Sequence, residues 1–145
     1  FTVDAVEGPA LLFYPRRSTL NTGESVTLRI LAEEVFDLAG TGFVLDYNPS
    51  KIRIDEVRQG DVFAGTGTSI FFSEIDQVIG KLTISTAIWD GSGTTFTGTG
   101  VILEINAILL QDGNSEIEFD GSEVFRDRDN NEILLNESIG GLMTN

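Results

Sequence analysis

Apolar and polar residues alternate along most of this chain with a period of two. In residues 42–47, Phe43, Leu45 and Tyr47 share one face, and Val44 and Asp46 share the other. After the Asn48-Pro49-Ser50 turn, Ile52 and Ile54 resume the apolar face while Arg53 and Asp55 point away. Val26, Leu28 and Ile30 oppose Thr27 and Arg29, and Leu82 and Ile84 oppose Thr83 and Ser85. Successive strand side chains point to opposite faces, so each run predicts a strand half-buried against a core. The run 101–109 puts Val101, Leu103, Ile105, Ala107 and Leu109 on its core face. Ile102, Glu104, Asn106 and Ile108 then form a mixed outer face, with two aliphatics that a purely solvated wall does not need.

This pattern predicts strands at residues 10–14, 25–35, 42–47, 51–57, 68–75, 81–89, 101–110, 115–119, 123–125 and 132–136. The separators carry turn chemistry: Asn21-Thr22-Gly23-Glu24, Asn48-Pro49, Asp112-Gly113-Asn114 and Asp129-Asn130-Asn131. Nine or ten short strands with no competing helical period predict an all-β, antiparallel sandwich or barrel. In residues 68–75 the phase stays open between Phe71 and Phe72. Residues 1–8 read as a lead-in, no internal repeat is present, and 145 residues suffice for one domain with a substantial core.

Composition narrows the functional classes. The chain carries 9 Lys+Arg against 23 Asp+Glu, a net charge of −14. That field repels phosphate backbones and anionic bilayers, which argues against nucleic acid. It favours basic partners or divalent cations, although solubility alone accounts for the surplus equally well. With no cysteine and no histidine, disulfides, thiolate catalysis, Cys/His zinc sites and His-dependent triads are all excluded. No run approaches the ~20 apolar residues that span a bilayer, so membrane insertion is not expected. The chain begins at Phe1 without an initiator methionine or signal peptide, as expected of a module excised from a larger extracellular protein.

Three stretches invite chemical readings. A glycosidase needs two carboxylates ~5–9.5 Å apart across a cleft. A compact sandwich with short turns offers no such cleft, and no motif singles out a pair, so a non-catalytic protein is expected. Asp127-Arg128-Asp129-Asn130-Asn131-Glu132 alternates oxygen ligands as calcium loops do, but lacks the central glycine and distal glutamate of an EF-hand. An Asx-rich hairpin turn accounts for the same residues. The glycine-rich stretch 90–100 precedes a strand rather than a helix, so it reads as an inter-strand crossover and not a phosphate cradle, with Phe96 over the core edge. Trp89, the only tryptophan, is either a core residue or a stacking surface for a sugar; Tyr47 lies on the core phase.

The order of these signals resembles the cohesin modules of cellulosome scaffoldins and their non-cellulosomal relatives. Leu20-Asn21-Thr22-Gly23-Glu24-Ser25-Val26-Thr27-Leu28 resembles the family's early strand entry. Gly42-Phe43-Val44-Leu45-Asp46-Tyr47-Asn48-Pro49 is similar to its third strand and Tyr-(Asp/Asn)-Pro turn, and residues 52–60 to the strand that follows. Gly80-Lys81-Leu82-Thr83-Ile84, the run 98–105, and Glu123-Val124-Phe125-Arg126-Asp127 with Asn131-Glu132-Ile133 complete the likeness over almost the whole chain. No single motif is specific; their order and spacing are.

The resemblance implies a nine-stranded jelly-roll-like sandwich that binds a dockerin, a small calcium-loaded helical module, at the cell surface or outside the cell. The chain itself would need no cofactor. The docking wall in cohesins is the outer face of the sheet holding the third, fifth, sixth and eighth strands. Carried over by strand, this implies Val44, Asp46, Arg53, Asp55, Ile102, Glu104 and Asn106, with Phe72 and Glu74 from residues 68–75, as partner-binding residues. Val44, Ile102 and Ile108 would be anchors. The chain departs from the best-known members, which carry Asn and Asp where Gly40 and Gly42 stand; that removes the usual hydrogen-bonding pair and points away from a typical cellulosomal dockerin. Two other functions remain open: a carbohydrate-binding module, which needs a row of exposed aromatics, and a structural adhesin or surface-layer domain.

Overall fold

A computed structural model describes residues 8–64, 69–88 and 94–145. Among them the chain forms twelve strands: β1 Ala10–Tyr14, β2 Arg17–Thr19, β3 Ser25–Tyr47, β4 Ile52–Gln59, β5 Ser69–Asp76, β6 Lys81–Ile88, β7 Phe96–Leu109, β8 Ser115–Phe119, β9 Val124–Asp127, β10 Glu132–Ile133, β11 Glu137–Ile139 and β12 Gly141–Thr144. The all-β sandwich is as expected, but the count is twelve rather than nine. β2, β11 and β12 are too short to carry a readable alternation; each is held by parallel or antiparallel pairing to a strand remote in sequence.

One strand, β3, serves both layers. Its residues 25–32 pair with β7 on one side, and residues 29–33 pair with β1 on the other. Its residues 40–46 pair with β6, flanked across the strand by β9 and then β8. Between these segments β3 turns from one layer into the other. Glu34 and Asp37 have positive φ (52° and 60°), and the register with β7 shifts there. The bulged amides are not left unpaired: Glu34 N–H donates to Thr99 Oγ1 (3.1 Å) and Asp37 N–H to Thr97 Oγ1 (3.0 Å). This gives the Thr97-Gly98-Thr99-Gly100 run a structural role. Residues 96–100 are therefore strand, not crossover, because their threonines satisfy the bend of β3.

The first layer is β4–β7–β3–β1–β11, and the second is β5–β6–β3–β9–β10, extended along the end of β3 by β8, β12 and β2. Leu28, Ile30, Ile52, Ile54, Leu103 and Ile105 from the first layer and Phe43, Leu45, Leu82 and Ile84 from the second are all buried in one shared core. Phe119 joins the layers, with its ring centroid 5.4 Å from Phe13 and 5.6 Å from Phe43.

The alternation breaks once within β7. Ile30 faces Leu103 and Leu31 faces Val101, so Ile102 is an extra residue in the ladder. A bulge reverses the phase of everything on its amino-terminal side. Ile102 is 1% exposed and belongs to the core, while Val101 is only half-buried. Ile102 is therefore not an outer-face residue.

Gly80 shows how the second layer is pinned. Its φ is +77°, and a Cβ there would sit 2.0 Å from the Tyr47 carbonyl oxygen. Only glycine lets the β5–β6 turn press against the end of β3, where Gly80 O accepts from Tyr47 N–H at 2.9 Å.

Candidate functional site

The outer surface of the second layer is built from cross-strand rows, since residues paired across a sheet share a face. Ile70 pairs with Ala87, Ala87 with Gly40, and Gly40 with Arg126. The next row is Phe72, Ser85, Gly42 and Val124, and the third Glu74, Thr83 and Val44. The last row is Asp76, Lys81, Asp46 and Glu118.

These rows resolve the open phase of β5. Phe71 packs on the core, whereas Phe72 is 49% and Ile70 45% exposed. The wall is thus apolar toward β5, small in the middle, and charged at both ends. At the Asp46 end, Lys81 Nζ lies 2.5 Å from Asp46 Oδ1. The hydrogen bond with Asp46, followed by its charge, holds the Lys81 ammonium above the ordinary lysine range. Carboxylates still outnumber cations there. Glu116 beside Glu118 hydrogen-bonds to it and repels its charge, which raises the Glu118 carboxyl above the usual range. At the opposite end Arg126 donates from Nη1 to the Asn130 carbonyl (3.2 Å) and forms no carboxylate ion pair among the described residues. Arg128 instead bonds Asp37 at 2.7 Å. Over the small residues lies a groove of about 460 Å³, lined by Gly40, Gly42, Ser85, Ala87, Val124 and Arg126 among others.

The nine residues nominated from the sequence do not form one surface. Val44, Asp46, Phe72 and Glu74 share the wall just described. Arg53 and Asp55 on β4 and Glu104 and Asn106 on β7 belong to the other layer, because β4 pairs with β7 and β7 with the first part of β3. Their outer face lies on the far side of the core. Ile102 lies inside it. Ile102 is displaced by the bulge; the other four are displaced because β4 and β7 sit in the layer opposite the second part of β3, and alternation carries no information about layer membership.

That far wall satisfies itself. Arg29 pairs with Glu104 (2.9 Å), Arg53 with Asp55 (2.6 Å) and Arg58 with Glu56 (3.1 Å). Asn106 Oδ1 accepts from Thr27 (3.0 Å) and Arg58 (3.3 Å), and its amide donates to Glu56 (3.2 Å). Three arginines facing three carboxylates make a neutral polar ladder suited to water.

Sequence reading missed Ile70, Ser85, Ala87, Val124 and Arg126. Alternation around the buried Phe125 marks Val124 and Arg126 as outward, and the polar phase of β6 contains Ser85; what was lacking was the register that joins them. The Asp127 stretch is a hairpin turn between β9 and β10. Asp127 Oδ1 accepts from Asp129 N–H and Asn131 N–H, both at 2.9 Å, and Asn130 takes a positive φ of 63°. Trp89 and residues 90–93 lie outside the described residues, as do residues 1–7.

Comparison with known proteins adds to this geometry. The cohesin domain family model matches residues 14–139. No curated protein sequence matches the chain. Similar solved structures include a type II cohesin module from the adaptor scaffoldin ScaA of Acetivibrio cellulolyticus, at TM-score 0.83 and 12% identity over 95% of this chain and 91% of that one. A type I cohesin–dockerin complex from Clostridium thermocellum matches at TM-score 0.77 and 16% identity, over 92% of this chain and 96% of that one. A non-cellulosomal cohesin from the hyperthermophilic archaeon Archaeoglobus fulgidus matches at 0.74 and 13%, over 92% and 88%. At these identities the likeness is one of fold.

Proposed function

Since this chain belongs to the cohesin family, we propose that it is a non-catalytic recognition module that docks a dockerin on the outer wall of β5, β6, β3 and β9. The observation that carries this choice of wall is the contrast between the two outer faces. One is a neutral ladder in which the arginines already hold their carboxylates. The other displays Phe72 and Ile70 beside a groove, within a rim of charge. Protein interfaces combine apolar anchors at the centre with a polar rim; on the first face the exposed Tyr14 stands by itself on β1 beside the Arg29–Glu104 pair, whereas the second groups Phe72 and Ile70 next to the groove. On that wall Val44 and Phe72 are anchors, while Asp46 and Glu74 belong to the rim. Calcium resides on the dockerin, and the module anchors a dockerin-bearing enzyme or surface protein outside the cell as one domain of a longer chain.

A sugar-binding role is less well supported, because stacking platforms use several coplanar aromatics and Phe72 stands alone on its wall among the described residues. The test is calorimetric titration against dockerins encoded in the same genome, with and without a calcium chelator. Binding that chelation abolishes, that Val44→Asp weakens at least tenfold and that Glu104→Lys leaves intact supports the reading. No binding by any dockerin overturns it, and loss with Glu104→Lys but not Val44→Asp moves the site to the other wall.

A further inference from the structure

Gly40 and Gly42 sit in the middle of a strand, where glycine weakens a sheet. Neither is required by the backbone. Both lie outside the left-handed region. A Cβ at position 40 would stand 3.5 Å from Ala87 Cβ, and one at position 42 would stand 3.6 Å from the Ile84 carbonyl oxygen, ordinary contact distances. What these positions supply is room. Together with Ser85 and Ala87 they floor the groove of about 460 Å³, a volume within the range of binding pockets. Val124 and Arg126 line one side of it, and beyond Ser85 and Ala87, outside the lining, stand Phe72 and Ile70 on the next strand.

Charge sets the ends. Arg126 lies across from Gly40 on one side and from Glu132 on the other and forms no carboxylate ion pair among the described residues, and Asp46, Asp76 and Glu118 surround the single ammonium of Lys81. From residue 40 to residue 46 is six strand residues, ~20 Å at ~3.3 Å each. A helix of ~13 residues has the same length.

Resting on the dockerin reading, we propose that the groove over Gly40 and Gly42 is this chain's specificity pocket. It receives one bulky apolar side chain from a partner helix laid along β3. That helix carries a carboxylate near the apolar residue, to meet Arg126, and a cationic side chain about three turns away, to meet Asp46, Asp76 and Glu118. A partner with small polar residues at the central position leaves the groove empty and binds weakly. The two glycines thus select the partner by the volume they leave open.

The experiment titrates wild type, Gly42→Ala, Gly42→Val, Gly40→Ser and Arg126→Glu with the panel of calcium-loaded dockerins from the same genome, and records melting curves for each variant. Gly42→Val is expected to weaken binding at least tenfold while its melting temperature is unchanged or higher, because a β-branched side chain suits a strand. Gly42→Ala and Gly40→Ser lose less, in order of added volume. Arg126→Glu weakens binding by an amount that shrinks as salt rises. Unchanged binding by Gly42→Val, or a loss accompanied by a fall in melting temperature in all three glycine variants, overturns the pocket while leaving the dockerin reading intact. A wild type that binds no dockerin overturns that reading, and the pocket with it.

Discussion

Tyr47 donates its hydroxyl hydrogen to Gln77 Oε1 at 2.7 Å, and through Gln77 the end of β3 is tied to both β4 and the β5–β6 turn. The same oxygen accepts from Ile54 N–H (3.3 Å), and the Gln77 amide donates to the carbonyls of Ile52 (2.9 Å) and Pro49 (3.3 Å). Tyr47 belongs to the second layer and β4 to the first, so one side chain bridges the layers at this end of the sandwich. It also holds the turn that precedes Lys81, and so fixes the charged row at the end of the docking wall.

Gln77→Ala should therefore destabilise more than Tyr47→Phe. The first leaves several part-buried polar groups without partners and should cost about 2–3 kcal/mol; the second removes one hydrogen bond and should cost about 1 kcal/mol. Chemical denaturation of both variants and of the double variant checks this, and non-additivity is expected because the two share one bond.

Tyr47 also sets an alkaline limit. Burial, and then the charge of Asp76, raise its phenol above the usual tyrosine value of 10.0. Only the neutral form suits the folded site, so this contribution is fully present below pH 10 and is lost as pH rises through the raised value. Stability measured from pH 9 to 12 should fall more steeply in wild type than in Tyr47→Phe.

At low pH the sign reverses. Asp112 is held below its usual 3.8 by hydrogen bonds from Thr22 and Asn145, and Asp37 by those from Thr95 and Arg128. Their stabilisation is present above pH 3.8 and is lost as pH falls through the lowered values. Asp37→Asn should blunt the acid-side loss in a pH series of melting curves, because its amide no longer titrates.

Thr41 and Thr86 face each other across the β3–β6 ladder, both buried, and neither hydroxyl has a partner among the described residues. An isosteric methyl removes an unsatisfied polar group, so Thr86→Val and Thr41→Val should each stabilise by about 1 kcal/mol. Thermal denaturation showing either variant less stable than wild type would refute the account.

Arg29 and Glu104 pair on the far wall, both partly exposed. Exposed pairs contribute about 0–1 kcal/mol, so Arg29→Ala should change stability by no more than that. It should leave partner affinity unchanged in the same titration that registers Val44→Asp.

The alternation of Phe43, Leu45 and Tyr47 against Val44 and Asp46 determined, without any structure, which face of that strand is buried, because a strand's side chains obey a local period of two. The all-β class, the turn at Asp127 and the core place of Tyr47 follow from equally local rules. Everything that depends on partners remote in sequence was decided by tertiary structure. The bulge at Ile102 inverts a phase that the run Val101–Leu109 states plainly, since the extra residue is defined only by the ladder opposite it. Arg53 and Asp55 follow Val44 and Asp46 by a few residues yet sit across the core, because the chain changes layer at the Asn48-Pro49 turn. The guanidinium of Arg126, the open floor at Gly40 and Gly42, and exposed Phe72 meet on one wall only through the register of four strands. Burial is a property of a strand; a surface is a property of the sheet.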